Sequence, residues 1–181
     1  WKKFGASAER EIRENPYRLM DPDIGLGFKT CDSIALGLGI DPSAEIRLKS
    51  AISYLLSLST LNGHTYCPKD ELINEAKKLT RAPEHLVLNA FDGLLLESVI
   101  YVERQHPDRV YSRYLFEAER YCARRLAALN QAMANGIAGS VHAWLSDYER
   151  KNRISLDENQ KAAIETALKN GVAVITGGPG T

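Results

Sequence analysis

The sequence predicts a mainly helical chain with a small β component, and three observations carry that prediction. Ile24-Gly25-Leu26-Gly27 lies between two helical stretches, the arrangement of a helix-hairpin-helix. From about residue 44 to 114, apolar residues recur at helical spacing three times, with a short strand candidate after the first helix and a strand pair after the third. That order is the order of a winged helix-turn-helix. Finally, Val172-Ala173-Val174-Ile175-Thr176 runs into Gly177-Gly178-Pro179-Gly180-Thr181, a buried-type strand followed by the opening glycine of a phosphate-binding P-loop. The expected fold is a helix-hairpin-helix region over 1–41 and a winged-helix-like domain over 44–114. A helical connector over 115–153 follows, and 154–181 is expected to be the first helix and strand of a P-loop α/β domain that is cut short.

Each element has its own signal. Glu9–Glu14 reads as the end of a helix, and Asn15-Pro16 as a cap followed by proline at the first position of the next one. Asp21-Pro22-Asp23 breaks that short helix, and the helix after the hairpin carries Ile34, Ala35 and Leu38 before Gly39 ends it. Leu48, Ala51, Ile52, Leu55 and Leu56 form one amphipathic stripe. Asn62-Gly63 turns the chain, His64–Cys67 is a strand candidate, and Pro68 opens a helix with Asp70 and Glu71 in its first turn, where negative charge suits the helix dipole. Leu72, Ile73, Ala76 and Leu79 form its inner face. A helix from Pro83 follows with Val87, Ala90, Phe91, Leu94 and Leu95 facing inward. Val99–Val102 and Arg109–Tyr111 read as two strands around His106-Pro107-Asp108. Leu115, Ala118, Cys122, Leu126 and Leu129 make one later stripe, and Val141, Trp144, Leu145 and Tyr148 another, with a linker candidate over 131–139. Ser155–Glu158 opens a last helix whose Ala163, Ile164, Ala167 and Leu168 are expected to face inward, and Gly171 closes it.

Composition excludes several classes of function. The chain has 181 residues, 44% hydrophobic and 25% charged, with a formal net charge of zero, so no global basic field marks a nucleic-acid partner. Three scattered cysteines, Cys31, Cys67 and Cys122, argue for a reducing, cytoplasmic setting and against a disulfide framework. His64 and Cys67 stand three apart without a second ligand pair, so no metal site is expected. No apolar run approaches the ~20 residues that span a bilayer.

The chemistry lies in three places. Two glycines let the hairpin backbone pass close to a phosphate, amides at the next helix start can receive an anion, and Lys29 and Thr30 add a charge and a hydroxyl. Gly25, Gly27, Lys29 and Thr30 are therefore DNA-backbone candidates. The alternative is a plain interhelical turn, and residues 1–41 carry six basic and seven acidic side chains. The helix over 83–96 holds no Arg or Lys, which makes it a poor reader of base edges. The following hairpin is richer: Arg104, Arg109 and Arg113, with Tyr101, Tyr111 and Tyr114 nearby, can follow a backbone or stack on a separated base, or can form a solvated hairpin with the tyrosines partly in the core. Gln160, seventeen residues before Gly177, can give and accept hydrogen bonds at once, as recognition of an adenine edge requires; one glutamine on a helix is also an ordinary surface residue. Gly177, Gly178, Pro179, Gly180 and Thr181 fit the front of the phosphate loop, without the lysine that would reach the β- and γ-phosphates.

Taken in order, Glu14–Leu19, Gly25–Ala35, Gly63–Pro68, Leu156–Ile164 and Ile175–Thr181 resemble the RecD-like ATP-dependent DNA helicases, in their long bacterial form with an N-terminal extension. The resemblance implies a parent that moves 5′→3′ on single strands, binds ATP and Mg²⁺, and acts in DNA repair or recombination. Gln160 would correspond to its adenine-sensing glutamine. It implies that both ends of this chain are cut, that DNA (single-stranded or forked) is engaged without sequence preference, and that this stretch alone hydrolyses no ATP and holds no cofactor. The competing expectation is a protein-interaction or regulatory module, docking repair proteins, with no direct DNA contact.

Overall fold

The computed structural model describes residues 5–132 and 141–178, which form helices and one small sheet in two compact units divided after Ala118. In the first unit, α1 (Ala8–Glu14) leads through Asn15 into a 3-10 helix, Pro16–Met20. The Asn15 carboxamide oxygen accepts from the Tyr17 amide at 3.0 Å, so the cap and the following proline act as the sequence suggests. Then come α2 (Phe28–Gly37), α3 (Glu45–Leu61), β1 (Tyr66–Pro68), α4 (Lys69–Thr80), α5 (Glu84–Leu96), β2 (Ile100–Val102), β3 (Arg109–Ser112) and α6 (Arg113–Ala132), which continues past the division.

The three strands form an antiparallel sheet in the order β1-β3-β2. Tyr66 and Tyr101 both stand opposite Tyr111, and Cys67 and Val102 both opposite Val110. Helices α3, α4 and α5 cover this sheet with a core built from Leu48, Ile52, Leu72, Val87, Phe91, Ile100 and Val110. A second cluster, of Tyr17, Phe28, Cys31, Ala35 and Ala51, joins the 3-10 helix and α2 to the opposite flank of α3. Leu48, Ile52, Leu55 and Leu56 of the α3 stripe pack in the sheet cluster, while its Ala51 and the half-buried Tyr54 face α2. Residues 1–41 and 44–114, which the sequence divides, thus share one compact unit. Burial pushes the Cys67 thiol up to about 11, with the Glu71 charge adding to it, so Cys67 stays an inert, protonated core residue.

The second unit holds the rest of α6, then α7 (Val141–Asn152) and α8 (Glu158–Lys169). Asp157 and Gln160 form a capping box at the start of α8, at 2.9 and 3.0 Å. The turn before it is fixed by Glu149, whose carboxylate accepts from the Leu156 amide at 2.7 Å. Leu145 is buried, but Cys122, Leu126 and Leu129 of the first later stripe and Trp144 and Tyr148 of the second are exposed, and further expectations change. Ala167 is exposed, so α8 turns only Ala163, Ile164 and Leu168 partly inward. Residues 172–176 form no strand: Val174 and Ile175 are 85% and 67% exposed. A parallel strand forms only between neighbours that cover both its faces, and none is present among the described residues. The linker candidate over 131–139 lies, past Ala132, outside the described residues, as do Pro179, Gly180 and Thr181.

Gly171 makes the tightest backbone approach in this unit. A Cβ built there would stand 1.8 Å from the Leu129 carbonyl oxygen. Gly171→Ala is expected to force the turn away from α6 and to cost about 1–3 kcal/mol, as overpacking does. Hydrogen exchange should show faster exchange in α8 and the end of α6, with β1–β3 unchanged. Wild-type protection at α8 would refute the packing of this turn.

Candidate nucleic-acid interface

The glycine hairpin is closed by its own backbone. The Asp21 carbonyl accepts from the Ile24 and Gly25 amides, each at 2.8 Å, and its carboxylate from the Asp23 amide at 3.0 Å. The Leu26 amide reaches back to the Leu19 carbonyl at 3.3 Å. The Gly25 and Leu26 amides are therefore already engaged inside the turn. Gly25 has φ +77°, a left-handed conformation that favours glycine. Gly27 differs: it is extended, at φ −76° and ψ 159°, and is the N-cap residue of α2. A Cβ there would meet only the Tyr54 hydroxyl, at an ordinary 3.8 Å.

Gly27 brings no side chain to cap α2, and its carbonyl accepts from the Thr30 and Cys31 amides at 3.1 and 3.3 Å, which leaves the Phe28 and Lys29 amides without a side-chain acceptor. Lys29 and Thr30 are exposed in that same turn. The structure thus gathers Gly27, Lys29 and Thr30 at one helix start, and Gly25 shapes the turn before it.

Beneath α2 lies an arrangement that the sequence reading missed. The Arg47 guanidinium grips Asp32 with two hydrogen bonds, Nε to Oδ1 at 2.7 Å and Nη2 to Oδ2 at 2.9 Å. Its Nη1 donates to the carbonyls of Pro42 (2.8 Å) and Thr80 (2.9 Å), and the Tyr17 hydroxyl donates to Asp32 Oδ1 at 2.7 Å. The Arg47 and Asp32 side chains are only 6% and 13% exposed. Burial alone would raise the Asp32 carboxyl, but the hydrogen bonds from Arg47 and Tyr17 outweigh it and hold the group below the usual carboxylate range. Burial and the bond to Asp32 push Tyr17 well above the ordinary tyrosine value. These residues position α2, and with it the hairpin. A charged residue one place before the Leu48 stripe carries no periodic signal of burial.

The arginines of the second hairpin each have a different setting. Arg104 is exposed in the loop between β2 and β3. Arg109 lies with its guanidinium 5.1 Å from the Tyr66 ring centre and 3.7 Å from the Glu103 carboxylate. Arg113 donates to Glu117, one helical turn along α6, at 2.8 Å. Of the tyrosines, Tyr111 is buried between Tyr66 and Phe116, and Tyr101 stacks on Phe116 at 3.7 Å; Tyr114 is exposed.

The described residues do not assemble a nucleotide pocket. Gly177 and Gly178 are exposed and follow no strand, and the Gln160 carbonyl oxygen is engaged by the Asp157 amide of the capping box. Among the described residues no group of His, Cys, Asp and Glu is arranged to hold a metal ion, and no helix is long and apolar enough to cross a membrane.

Residues 1–66 match the family model described as the HHH domain of the ATP-dependent RecD2 DNA helicase. The chain is 26% identical over 196 residues to the ATP-dependent RecD2 DNA helicase of Deinococcus radiodurans, covering 99% of this chain and 26% of that protein. It is 30% identical over 159 residues to the RecBCD enzyme subunit RecD of Mycobacterium tuberculosis, covering 86% of this chain and 24% of the relative. The chain spans about a quarter of the length of the curated relatives it matches.

Proposed function

We propose, for a chain that is RecD-like in its helix-hairpin-helix domain and in its curated relatives, that it is the accessory region through which a longer ATP-dependent 5′→3′ DNA helicase engages DNA without reading its sequence. The observation that carries this is the uncapped start of α2 next to exposed Lys29 and Thr30, inside the segment that the family model covers. An anion there meets backbone amides, the helix dipole and one ammonium, as a DNA phosphate requires. The 44–114 fold reads, in this proposal, as a winged helix whose α5 lacks the cations for base readout. Arg104, Arg109 and Arg113 would then give at most outlying backbone contacts. In the parent, ATP and Mg²⁺ would bind at a P-loop of which Gly177–Thr181 are the front and Gln160 the adenine contact, and the work done would be repair or recombination. The described residues do not form that site, and the chain alone is expected to turn over no ATP.

The two glycines allow a clean test. Gly25→Ala puts a side chain in a left-handed backbone conformation and is expected to cost about 1–2 kcal/mol of stability whatever the hairpin binds. Gly27→Ala fits the space, so its melting temperature should stay near that of the wild type, while the new methyl stands where a phosphate would approach. Fluorescence anisotropy with single-stranded and forked oligonucleotides across a salt series should show Gly27→Ala binding at least several-fold more weakly. Lys29→Gln should lower the salt slope by roughly one contact. Unchanged DNA binding by Gly27→Ala and Lys29→Gln sinks the proposal. One observation favours the second reading, a protein-contact module: Arg109 and Arg113 each lie against a glutamate of this chain and are not left for phosphates.

A further inference from the structure

A trough of about 600 Å³ runs along α3 in the first unit. Its apolar surface comes from Met20, Ile46, Leu94 and Val99. Ser50 and Ser53, three residues apart on α3, keep it open, because larger side chains there would fill it. One end is acidic. Lys49 reaches across to α5 and pairs with both Glu45 and Glu97, the latter at 2.6 Å. Gly93 makes the room: a Cβ there would lie 2.6 Å from Lys49 Cε. Two carboxylates share one ammonium, and both remain more than half exposed, at 64% and 54%, while the lysine is 17% exposed. The end of the trough therefore shows a surplus negative charge to solvent next to an apolar floor.

We propose that this trough docks a short peptide segment of a partner protein, one that carries an aliphatic anchor next to a lysine or arginine. The surplus carboxylate charge selects a cationic partner and repels nucleic acid, so the trough differs from the hairpin in sign. The anchor fills the floor between Ile46 and Leu94, and the cation takes the open faces of Glu45 and Glu97 that Lys49 does not use.

The test is an amide-shift titration of the isotope-labelled full chain. The probes are capped nine-residue peptides with one leucine and two lysines at several spacings, beside matched peptides with glutamate for lysine or serine for leucine. Saturable shifts at Ile46, Ser50, Ser53, Leu94 and Val99 with the leucine–lysine peptides alone are expected. Glu97→Gln and Glu45→Gln should each weaken binding about two- to fivefold, the size of exposed charge pairs. Ser50→Tyr should abolish the shifts while leaving DNA anisotropy unchanged. Three outcomes overturn the inference: no saturable shift with any spacing, equal binding of the glutamate peptides, or the same shifts produced by an oligonucleotide.

Discussion

Asp32→Ala is expected to be among the most damaging single substitutions in the first unit, at about 3–5 kcal/mol. The aspartate is not needed for packing volume; its role is to answer a buried charge. Removing it leaves the Arg47 guanidinium enclosed with only the Pro42 and Thr80 carbonyls, and strands the Tyr17 hydroxyl as well. Single domains are stable by roughly 5–15 kcal/mol, so the loss is a large part of the total. Denaturant unfolding of the variant should show it directly. A loss below 1 kcal/mol would mean that Arg47 turns out to solvent and that the grip on Asp32 is dispensable.

The same residues set a pH dependence. Asp32 has its folded pKa depressed, so its contribution is present above the unfolded carboxylate value, ~3.9, and is lost as pH falls through the lower folded value. Tyr17 has its folded pKa raised, so its contribution is present below the unfolded value of ~10 and is lost as pH rises above it. Stability should therefore fall at both ends of the range. Tyr17→Phe is expected to weaken the alkaline limb, to which the raised Cys67 thiol also contributes, and to retain most of the acid limb, because Arg47 still holds Asp32.

Phe28→Ala is the second large effect, again about 3–5 kcal/mol, by a different route. Phe28 is the first residue of α2 and only 1% exposed. Its ring stacks on Tyr17 at 5.6 Å and meets Tyr54 at 5.9 Å. Truncation opens a cavity directly under the hairpin, so DNA affinity should fall along with stability. Near-ultraviolet circular dichroism should report the lost aromatic packing. Phe28→Leu should recover most of the stability, and neither variant should alter the acid limb set by Asp32. If Phe28→Ala unfolds at the same denaturant concentration as the wild type, the second core cluster does not hold α2 in place.

The legible parts of this chain were those written in local chemistry. The Leu48–Leu56 stripe, the Asn15-Pro16 cap and the strand pair around His106-Pro107-Asp108 depend on neighbours within a few residues, and each forms where its pattern lies. The unread parts depend on partners far along the chain. Arg47 finds Asp32 fifteen residues back and the Thr80 carbonyl thirty-three residues on, and no periodicity encodes either. The 172–176 stretch has the composition of a buried strand, yet its state depends on strands that would have to lie beside it. Ala167 illustrates a smaller limit: alanine fits a helix on either face, so its place in a stripe says little about burial. At the candidate site the glycines were visible and their separate duties were not, because only backbone angles distinguish a left-handed Gly25 from an extended Gly27.

A single guanidinium that touches Asp32, Pro42 and Thr80 also decides how the first unit comes apart. The loops it closes bring no return until α3 and the end of α4 are both in place, so residues 16–41 have no stable fold to adopt ahead of them. Unfolding should then be one cooperative event across the hairpin, α3 and α4, with amide protection in α2 and α3 collapsing at the same denaturant concentration. On this expectation, a cut in the loop between α2 and α3 separates parts that unfold together.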